Sequence, residues 1–413
     1  MTQEQALKIM LSGRNTLLTG PAGAGKSYLL AKFIQEASKN GKKVTVTATT
    51  GLAAAHLGGQ TIHSWSGIGI SNKLSEDYIY TMSKQRISNI NKTNILVIDE
   101  ISMLHDYNLD MINQAMKIVR QNDQPFGGLQ VILCGDFFQL PPVSKTGEGK
   151  FVTNSPAFKE LDLAFCYLEE QHRAEDMELT EILNCMRAGT LTMKHLRLLQ
   201  SRIGKKPTGP ITKLYTLNRD VEQENESQLA KLPGDTHYFL RTSKARNRLE
   251  LNRLQENVLA PEILKLKVGA LVMTVKNDPM RRWVNGSIGT VIRFVAGGLP
   301  VVQFQHGGVY TIAPEEWEHT SGGASLSQIP LRLAYAITVH KSQGMTLDSA
   351  EIDLSKAFVG GMGYVALSRV RSLHTLYLLG INRRTFLVSR EAQIIDKVFR
   401  ERTKQLLERT LDK

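Results

Sequence analysis

The sequence predicts an α/β fold of doubly wound parallel sheets, interrupted late in the chain by a smaller β-rich module. Three patterns predict it. Short, continuously apolar runs such as Ile95–Ile98 and Val131–Cys134 have the composition of parallel strands covered on both faces. They alternate with segments of helical periodicity, the order that builds strand–helix–strand units. From about Leu251 to Trp317 the pattern changes to short β-rich runs separated by turn dipeptides.

The elements follow in order. Asn15–Thr19 reads as a strand running into a glycine-rich loop. Ser27–Lys39 has helical spacing, with Leu29, Leu30, Phe33, Ile34 and Ala37 on one side, and Asn40-Gly41 ends it. Val44–Ala48 is the next strand, then Ile95–Ile98 and Val131–Cys134. Between Ser66 and Asn94 the periodicity weakens and Gly67, Gly69, Ser71 and Asn72 appear, which suggests a small insertion rather than a core element. Near Leu168 the chain is expected to leave the first core. In the β-rich region, Ala270–Val275, Ile288–Phe294 and Val301–Phe304 are separated by Asn277-Asp278-Pro279, Asn285-Gly286 and Gly297-Gly298. After Gly322-Gly323 the alternation returns with Ala334–Val339, Ser349–Asp353 and Thr375–Leu379. Arg390–Leu411 reads as a charged amphipathic helix suited to packing and solvation.

At 413 residues the chain is long enough for two or three domains, and 42% hydrophobic against 22% charged residues is globular composition. A net charge of +12, from 51 Lys and Arg against 39 Asp and Glu, favours polyanionic partners, although it also fits a basic surface of no special purpose. Cys134, Cys166 and Cys185 are scattered, with neither zinc-site spacing nor a disulfide framework. The first residues lack a secretory pattern and no apolar run approaches a membrane span, so a soluble protein in a reducing compartment is expected.

The chemistry begins at Gly20-Pro21-Ala22-Gly23-Ala24-Gly25-Lys26-Ser27, which fits the phosphate-loop pattern G-x4-G-K-S and lies between a predicted strand and a predicted helix. Gly20, Gly23 and Gly25 let backbone amides curl around phosphates, Lys26 reaches the β- and γ-phosphates, and the Ser27 hydroxyl is a Mg²⁺ ligand. ATP with Mg²⁺ is the implied pair. The run Ile95–Ile98 delivers Asp99-Glu100 at its end. Asp99 would hold Mg²⁺ and Glu100 would orient or deprotonate water, whereas an acid pair elsewhere is usually only solvated. Val131–Cys134 leads to Gln139, which could sense a γ-phosphate or belong to an ordinary turn before Pro141-Pro142. Arg173 and Arg369 are candidates to neutralise charge on the transferring phosphoryl group, but chemistry alone cannot select them among so many basic residues.

The ordered set resembles the superfamily-one helicases, and within them the Pif-one (petite integration frequency) DNA helicase family. The blocks are Gly20–Ser27, Thr47–Ala54, Gln60–Trp65, Ile98–Met103, Gly135–Pro142, Arg173, Thr338–Thr346 and Tyr364–Arg369. The most family-specific stretch runs from Leu109-Asp110-Met111-Ile112 through Pro125-Phe126-Gly127-Gly128-Leu129-Gln130. The resemblance covers nearly the whole chain and is thinnest over 66–94 and the terminal helix.

It implies two RecA-like doubly wound motor domains with ATP bound between them, an inserted β-barrel similar to Src-homology-three domains, and a short wedge. The corresponding segments are 1–167, with 66–94 as the wedge candidate, then 168–219 with 326–413, and 220–325 as the insert. It implies 5′-to-3′ movement on single-stranded DNA and unwinding of duplexes, forks, G-quadruplexes and RNA–DNA hybrids, in replication, recombination and repair. Gln3 sits where such helicases read adenine, with Gln5 a nearby competitor. Arg173 and Arg369 match two finger positions, both in the second motor domain, and Gly344 matches a backbone contact to nucleotide. Thr50, Thr61, His63, His340 and Lys341 fall in blocks that grip the DNA backbone, and Asn285-Gly286 in a loop that faces DNA. Trp65 could stack on a base or serve the core. Lys26-Ser27 replaces the commoner Lys-Thr with no change of chemistry. A long amino-terminal extension is missing, so a minimal bacterial or phage-like core is expected: cytoplasmic, nucleoid-associated, with no membrane partner, and monomeric without DNA. A single-core phosphate-loop kinase or GTPase is opposed by the second motif set, and a decayed binding module by intact Lys26, Asp99, Glu100 and Gln139.

Overall fold

The computed structural model describes all residues except 69–72, 145–146, 170–175, 208, 210, 247, 279, 281, 284, 306, 319–322 and 412–413. Arg173 and the turn residues Gly69, Ser71, Asn72, Pro279 and Gly322 therefore lie outside the described residues. By contacts the chain groups into two compact units: 1–205 with 346–348 and 354–413, and 206–345 with 349–353.

The first unit is built on a parallel sheet. Its strands are β1 (Thr16–Thr19), β2 (Val44–Ala48), β3 (Gln60–Thr61), β4 (Ile95–Asp99), β5 (Gln130–Gly135), the short hairpin β6 (Val143–Ser144) and β7 (Gly147–Glu148), and β8 (Ala164–Tyr167). Among the described residues the sheet order is β3-β2-β4-β5-β1-β8, with the hairpin apart. Next to the edge strand β8, β1 pairs with β5 from Thr16–Ile132 to Thr19–Gly135 and with β8 from Thr16–Ala164 to Thr19–Tyr167. All the paired strands of this sheet run parallel, so their carboxyl ends share one edge, where open α/β sheets bind ligands.

The glycine-rich loop leads into the helix Lys26–Lys39, which buries Leu29, Leu30, Phe33 and Ala37, the predicted face, with Ile34 half-buried beside them. That face shares one core with Leu18, Val97, Ile132 and Cys134 of the strands. Each fully buried Leu or Phe side chain contributes about 1.5–3 kcal/mol relative to exposure.

Two expectations gain detail. The stretch 66–94 carries helices Tyr78–Thr81 and Lys84–Lys92, anchored by buried Tyr78 and Ile90. The Tyr78 hydroxyl donates to the Ser66 carbonyl and Ser83 caps the second helix. The family-specific stretch is a clasp. Helix Asp106–Arg120 ends, and a turn at Pro125–Gly128 returns to it. Phe126 N–H donates to Asn113 Oδ1 at 2.7 Å, and Arg120 Nε donates to the Gly127 carbonyl at 2.7 Å. Trp65 is buried in the core.

Helix Arg390–Leu411 packs along β8. Thr403 Oγ1 donates to the Phe165 carbonyl at 2.9 Å, and the Tyr167 hydroxyl donates to Asp396 at 2.7 Å.

The second unit holds the predicted β-rich module. Its antiparallel sheet runs in the order Val309–Thr311, Pro300–Phe304, Ile288–Phe294, Leu271–Thr274, Leu331–Leu333. Its core contains Val272, Trp283, Val291, Val302, Phe304 and Leu331. A bulge between Val291 and Arg293 bends the long strand. Beside this module, Lys213–Tyr215 pairs in parallel with Ala336–Thr338 and, at Glu351 and Ile352, with Ala350–Leu354. Among the described residues no helix is long and apolar enough to cross a membrane, and the three cysteines are free thiols.

Candidate nucleotide and nucleic-acid site

The candidate residues of the first unit cluster because they follow strand ends. β1 delivers Gly20–Ser27, β4 delivers Asp99 and Glu100, β5 delivers Asp136 and Gln139, and β2 and β3 deliver Thr50 and Thr61. In the loop, Gly20, Gly23 and Gly25 have φ of 147°, 86° and 80°, values that side chains disfavour. Gly25 then caps the helix that opens at Lys26. The Lys26 ammonium donates to the Gly20 carbonyl at 2.9 Å and the Pro21 carbonyl at 3.0 Å, so the loop itself registers this cation.

Gln3 Nε2 donates to the Ala24 carbonyl at 3.4 Å, which sets Gln3 beside the loop. Gln5 is engaged elsewhere: its Oε1 accepts the Thr2 N–H at 3.0 Å in the cap of the first helix.

Asp99 and Glu100 are braced by the neighbouring strand. Glu100 N–H donates to Asp99 Oδ1 at 2.8 Å, and Thr49 Oγ1 donates to the Glu100 carbonyl at 3.0 Å. Glu100 holds φ 52°, a left-handed conformation that costs a non-glycine residue about 1–3 kcal/mol and that clusters at functional sites. Cys134 lies behind them. Burial, with the nearby Asp99 charge, pushes its thiol well above its ordinary value and keeps it a protonated, uncharged filler.

Gln139 is buried, and its Oε1 accepts no hydrogen bond among the described residues. A buried amide oxygen without a donor costs about 1–3 kcal/mol. Arg369 is also buried. Its Nε donates to the Val365 carbonyl at 2.9 Å and its Nη2 to Ser368 Oγ at 2.8 Å, so the guanidinium lies against its own helix. It falls in the same compact unit as the phosphate loop.

Among the nucleic-acid candidates, Thr50 Oγ1 accepts the Ala53 N–H and Thr61 Oγ1 accepts the Ser64 N–H, both at 3.2 Å. Among the described residues each hydroxyl proton is left to donate, as a phosphate oxygen requires. His63 is half-buried beside Asn108 Nδ2 at 3.3 Å, and burial, then His105, lowers its pKa, which favours the neutral ring.

In the second unit, His340 is pushed down by burial. Lys341 is lowered by burial and by Arg332, against the pull of Glu222. A lysine crowded by another cation favours an added anion. Asn285 is buried with its N–H on Asn277 Oδ1 at 2.7 Å and its own Oδ1 without a partner among the described residues, while Gly286 has φ 92°. Gly344 is exposed with φ 80°.

The sequence reading missed one group. Arg187, on helix Met177–Ala188, is buried beside Asp136. Its Nη1 lies 2.7 Å from Asp136 Oδ1 and 3.0 Å from the Tyr364 hydroxyl, and its Nη2 lies 3.0 Å from Asp396. Burial opposes the Asp136 charge, but Arg187 and Lys26 outweigh it and hold the carboxyl below its ordinary value. The only available signal was an acid following a buried strand; nothing local marked the arginine.

Among the described residues no three His, Cys, Asp or Glu side chains are grouped to hold an ion alone. A Mg²⁺ held by Ser27 and Asp99 would therefore need further oxygen ligands from outside these side chains.

Comparison with known proteins gives a consistent result. Residues 3–190 match the family model described as PIF1-like helicase, and 250–294 match that of the DNA helicase Pif1 2B domain. The ATP-dependent DNA helicase Pif1 of Psychrobacter sp. (strain PRwf-1) is 39% identical over 92% of this chain and 68% of its own length. The chain spans 60% of the length of the similarly named Xenopus laevis protein, at 38 to 39% identity in the vertebrate relatives. The crystal structure of Pif1 helicase from Candida albicans aligns with TM-score 0.88 and 35% identity, covering 96% of this chain and 98% of that one. Bacteroides Pif1 in complex with ADP-AlF3 and ssDNA aligns with TM-score 0.79 and 30% identity, covering 97% and 96%.

Proposed function

This chain belongs to the Pif1 family of ATP-dependent DNA helicases, and from that premise we propose that it is a DNA-stimulated ATPase moving 5′-to-3′ on single-stranded DNA and unwinding duplexes and forks. The observation that carries the reading is the shared sheet edge: phosphate loop, acid pair and Gln139 on the carboxyl ends of β1, β4 and β5.

In this reading Gly20, Gly23, Gly25 and the loop amides wrap the β-phosphate, and Lys26 neutralises the γ-phosphate. Gln3 reads adenine and Gly344 offers a backbone contact to nucleotide. Ser27 and Asp99 would hold Mg²⁺, which would supply charge neutralisation to the triphosphate. Glu100 orients or deprotonates the attacking water, and Gln139 senses the γ-phosphate. Arg173 and Arg369 neutralise the charge that develops on the transferring phosphoryl group.

Thr50, Thr61, His63, Asn285, Gly286, His340 and Lys341 hold a single strand through its phosphates, without sequence preference. Support comes from the Bacteroides relative bound to ssDNA and from the pair of Pif1 helicases at forked dsDNA. The division into motor segments 1–167 and 168–219 with 326–413, an insert at 220–325 and a wedge at 66–94 belongs to this proposal. So do G-quadruplex and RNA–DNA hybrid substrates, a role in repair and recombination, a cytoplasmic, nucleoid-associated location, and a monomer in the absence of DNA.

Two experiments test it. Lys26→Ala is expected to abolish both ATP turnover and unwinding, and retained unwinding would sink the assignment. In strand displacement, a 5′-tailed duplex is expected to open and a 3′-tailed one to resist; the reverse pattern would overturn the polarity.

A further inference from the structure

Three segments that lie far apart in sequence meet at one buried hydroxyl. Tyr364 is fully buried on the helix Met362–Leu367. Its oxygen accepts the backbone N–H of Ala22, in the phosphate loop, at 3.0 Å. Its own proton goes to Asp136 Oδ2 at 2.9 Å. Arg187 Nη1 approaches the same oxygen at 3.0 Å while bridging both Asp136 oxygens at 2.7 and 2.9 Å, and its guanidinium lies 4.0 Å from the centre of the Phe138 ring.

The peptide that receives this contact has a second hold. The unit between Pro21 and Ala22 presents its carbonyl to the Lys26 ammonium at 3.0 Å and its N–H to Tyr364 at 3.0 Å. One peptide plane is thus fixed on one side by the triphosphate-binding lysine and on the other by a tyrosine some 340 residues away in sequence. Pro21 contributes no N–H of its own, so the Ala22 amide is the first donor after Gly20 by which the plane can be set.

We propose that Tyr364, anchored by Asp136 and Arg187, is a positioning residue for the phosphate loop, orienting the Pro21–Ala22 peptide and through its carbonyl the Lys26 ammonium toward the γ-phosphate. The inference rests on the ATP-binding reading of Gly20–Ser27. It assigns roles to three residues that contact neither nucleotide nor metal in that reading.

Burial adds weight. The phenol is pushed far above its ordinary range chiefly by burial, so the hydroxyl stays protonated and donates steadily to Asp136. The helix cannot slide away either. Gly361, at its start, has φ 84°, and a Cβ there would meet the Phe138 carbonyl at 2.8 Å and the Gln139 carbonyl at 2.9 Å. The helix that carries Tyr364 and leads to Arg369 is therefore seated on the backbone of Gln139. Loop, glutamine and arginine share one registration.

The test uses the full chain and two probes, the non-hydrolysable analogue AMP-PNP and ADP, titrated against wild type and Tyr364→Phe. The phenylalanine keeps the ring and removes the hydroxyl. If the loop is positioned through Ala22 and Lys26, AMP-PNP affinity falls about tenfold while ADP, which lacks the γ-phosphate, changes less than about threefold; tenfold corresponds to about 1.4 kcal/mol. ATP kcat/KM falls in parallel with AMP-PNP affinity. Asp136→Asn, which keeps the shape but weakens the anchor, gives the same preferential loss to a smaller extent and carries the test if the first variant does not fold. Equal weakening of both nucleotides, or unchanged affinities with only a lowered unfolding temperature, overturns the proposal. A wild type that binds both nucleotides without DNA-stimulated turnover would instead count against the helicase reading and leave the binding comparison intact.

Discussion

Replacing Arg187 by leucine is expected to uncover an electrostatic dependence in the first compact unit. The substitution removes a guanidinium that spans Asp136, Tyr364, Tyr167 and Asp396 at 2.7 to 3.0 Å. Asp396 keeps Arg400, whose Nε is 2.7 Å away. Asp136 does not have such a reserve. It is completely buried, and among the described residues it would keep the Phe138 N–H at 3.1 Å and the Tyr364 hydroxyl at 2.9 Å, with Lys26 farther off. Breaking a buried pair by removing one partner costs about 3–5 kcal/mol, because the remaining charge is left in low dielectric. In a unit of this size that lowers the unfolding temperature by on the order of 10 °C.

The pH dependence identifies the cause. In the wild type, Asp136 is held below its ordinary value, so its contribution is full above about pH 3.8 and is lost only as pH falls through the lowered folded value. Without Arg187, burial acts with its main opponent gone and the folded pKa rises above the unfolded one. Between those two values the folded variant binds more protons than the unfolded chain, so the variant gains stability as pH falls. The deficit relative to wild type is therefore largest near pH 8 and shrinks toward pH 5 in differential scanning calorimetry. Adding Asp136→Asn to Arg187→Leu removes the stranded charge and restores much of the loss at pH 8. A deficit equal at pH 5 and pH 8, and undiminished in the double variant, would refute the electrostatic account and leave lost packing on Phe138 as the cause.

The remaining expectations concern single residues. Glu100→Gln keeps the left-handed backbone and its bracing but removes the proton acceptor, so ATP turnover falls by about 10²–10⁴ while nucleotide affinity stays near wild type; turnover within tenfold of wild type in a single-turnover assay would remove Glu100 from the mechanism. Gly127→Ala places a methyl 2.7 Å from the Met116 carbonyl at φ 62°, which costs on the order of 2 kcal/mol or more. Thermal unfolding is expected several degrees lower with KM for ATP unchanged, and an unshifted transition would show that the clasp yields freely.

How much of this was legible in the sequence depends on the range of the interaction involved. The phosphate loop, the acid pair and the strand that delivers it are local: Gly20–Ser27 and Ile95–Glu100 each carry their strand, their turn and their chemistry within a few residues. The β-rich module announced itself through turns, because Asn285-Gly286 and Gly297-Gly298 need backbone conformations that few residues accept. The stretch 66–94 was harder. Its helices are short and polar, and their anchors, Tyr78 and Ile90, are single buried side chains that produce no period. The family-specific stretch around Pro125–Gly128 was recognisable but its purpose was not, since it depends on Asn113 and Arg120 reaching across a turn. Arg187 marks the limit. An arginine on an amphipathic helix reads as a surface residue, and only tertiary structure shows that Asp136, Tyr364, Tyr167 and Asp396 converge on it. The motif residues Asp136 and Tyr364 face each other across more than 200 positions with a basic partner that no motif contains. A buried acid that follows a catalytic strand needs a counter-charge somewhere, because an isolated carboxylate could not stay ionised there. The structure supplies that partner in Arg187, a residue that ties the phosphate loop to the helix leading to Arg369.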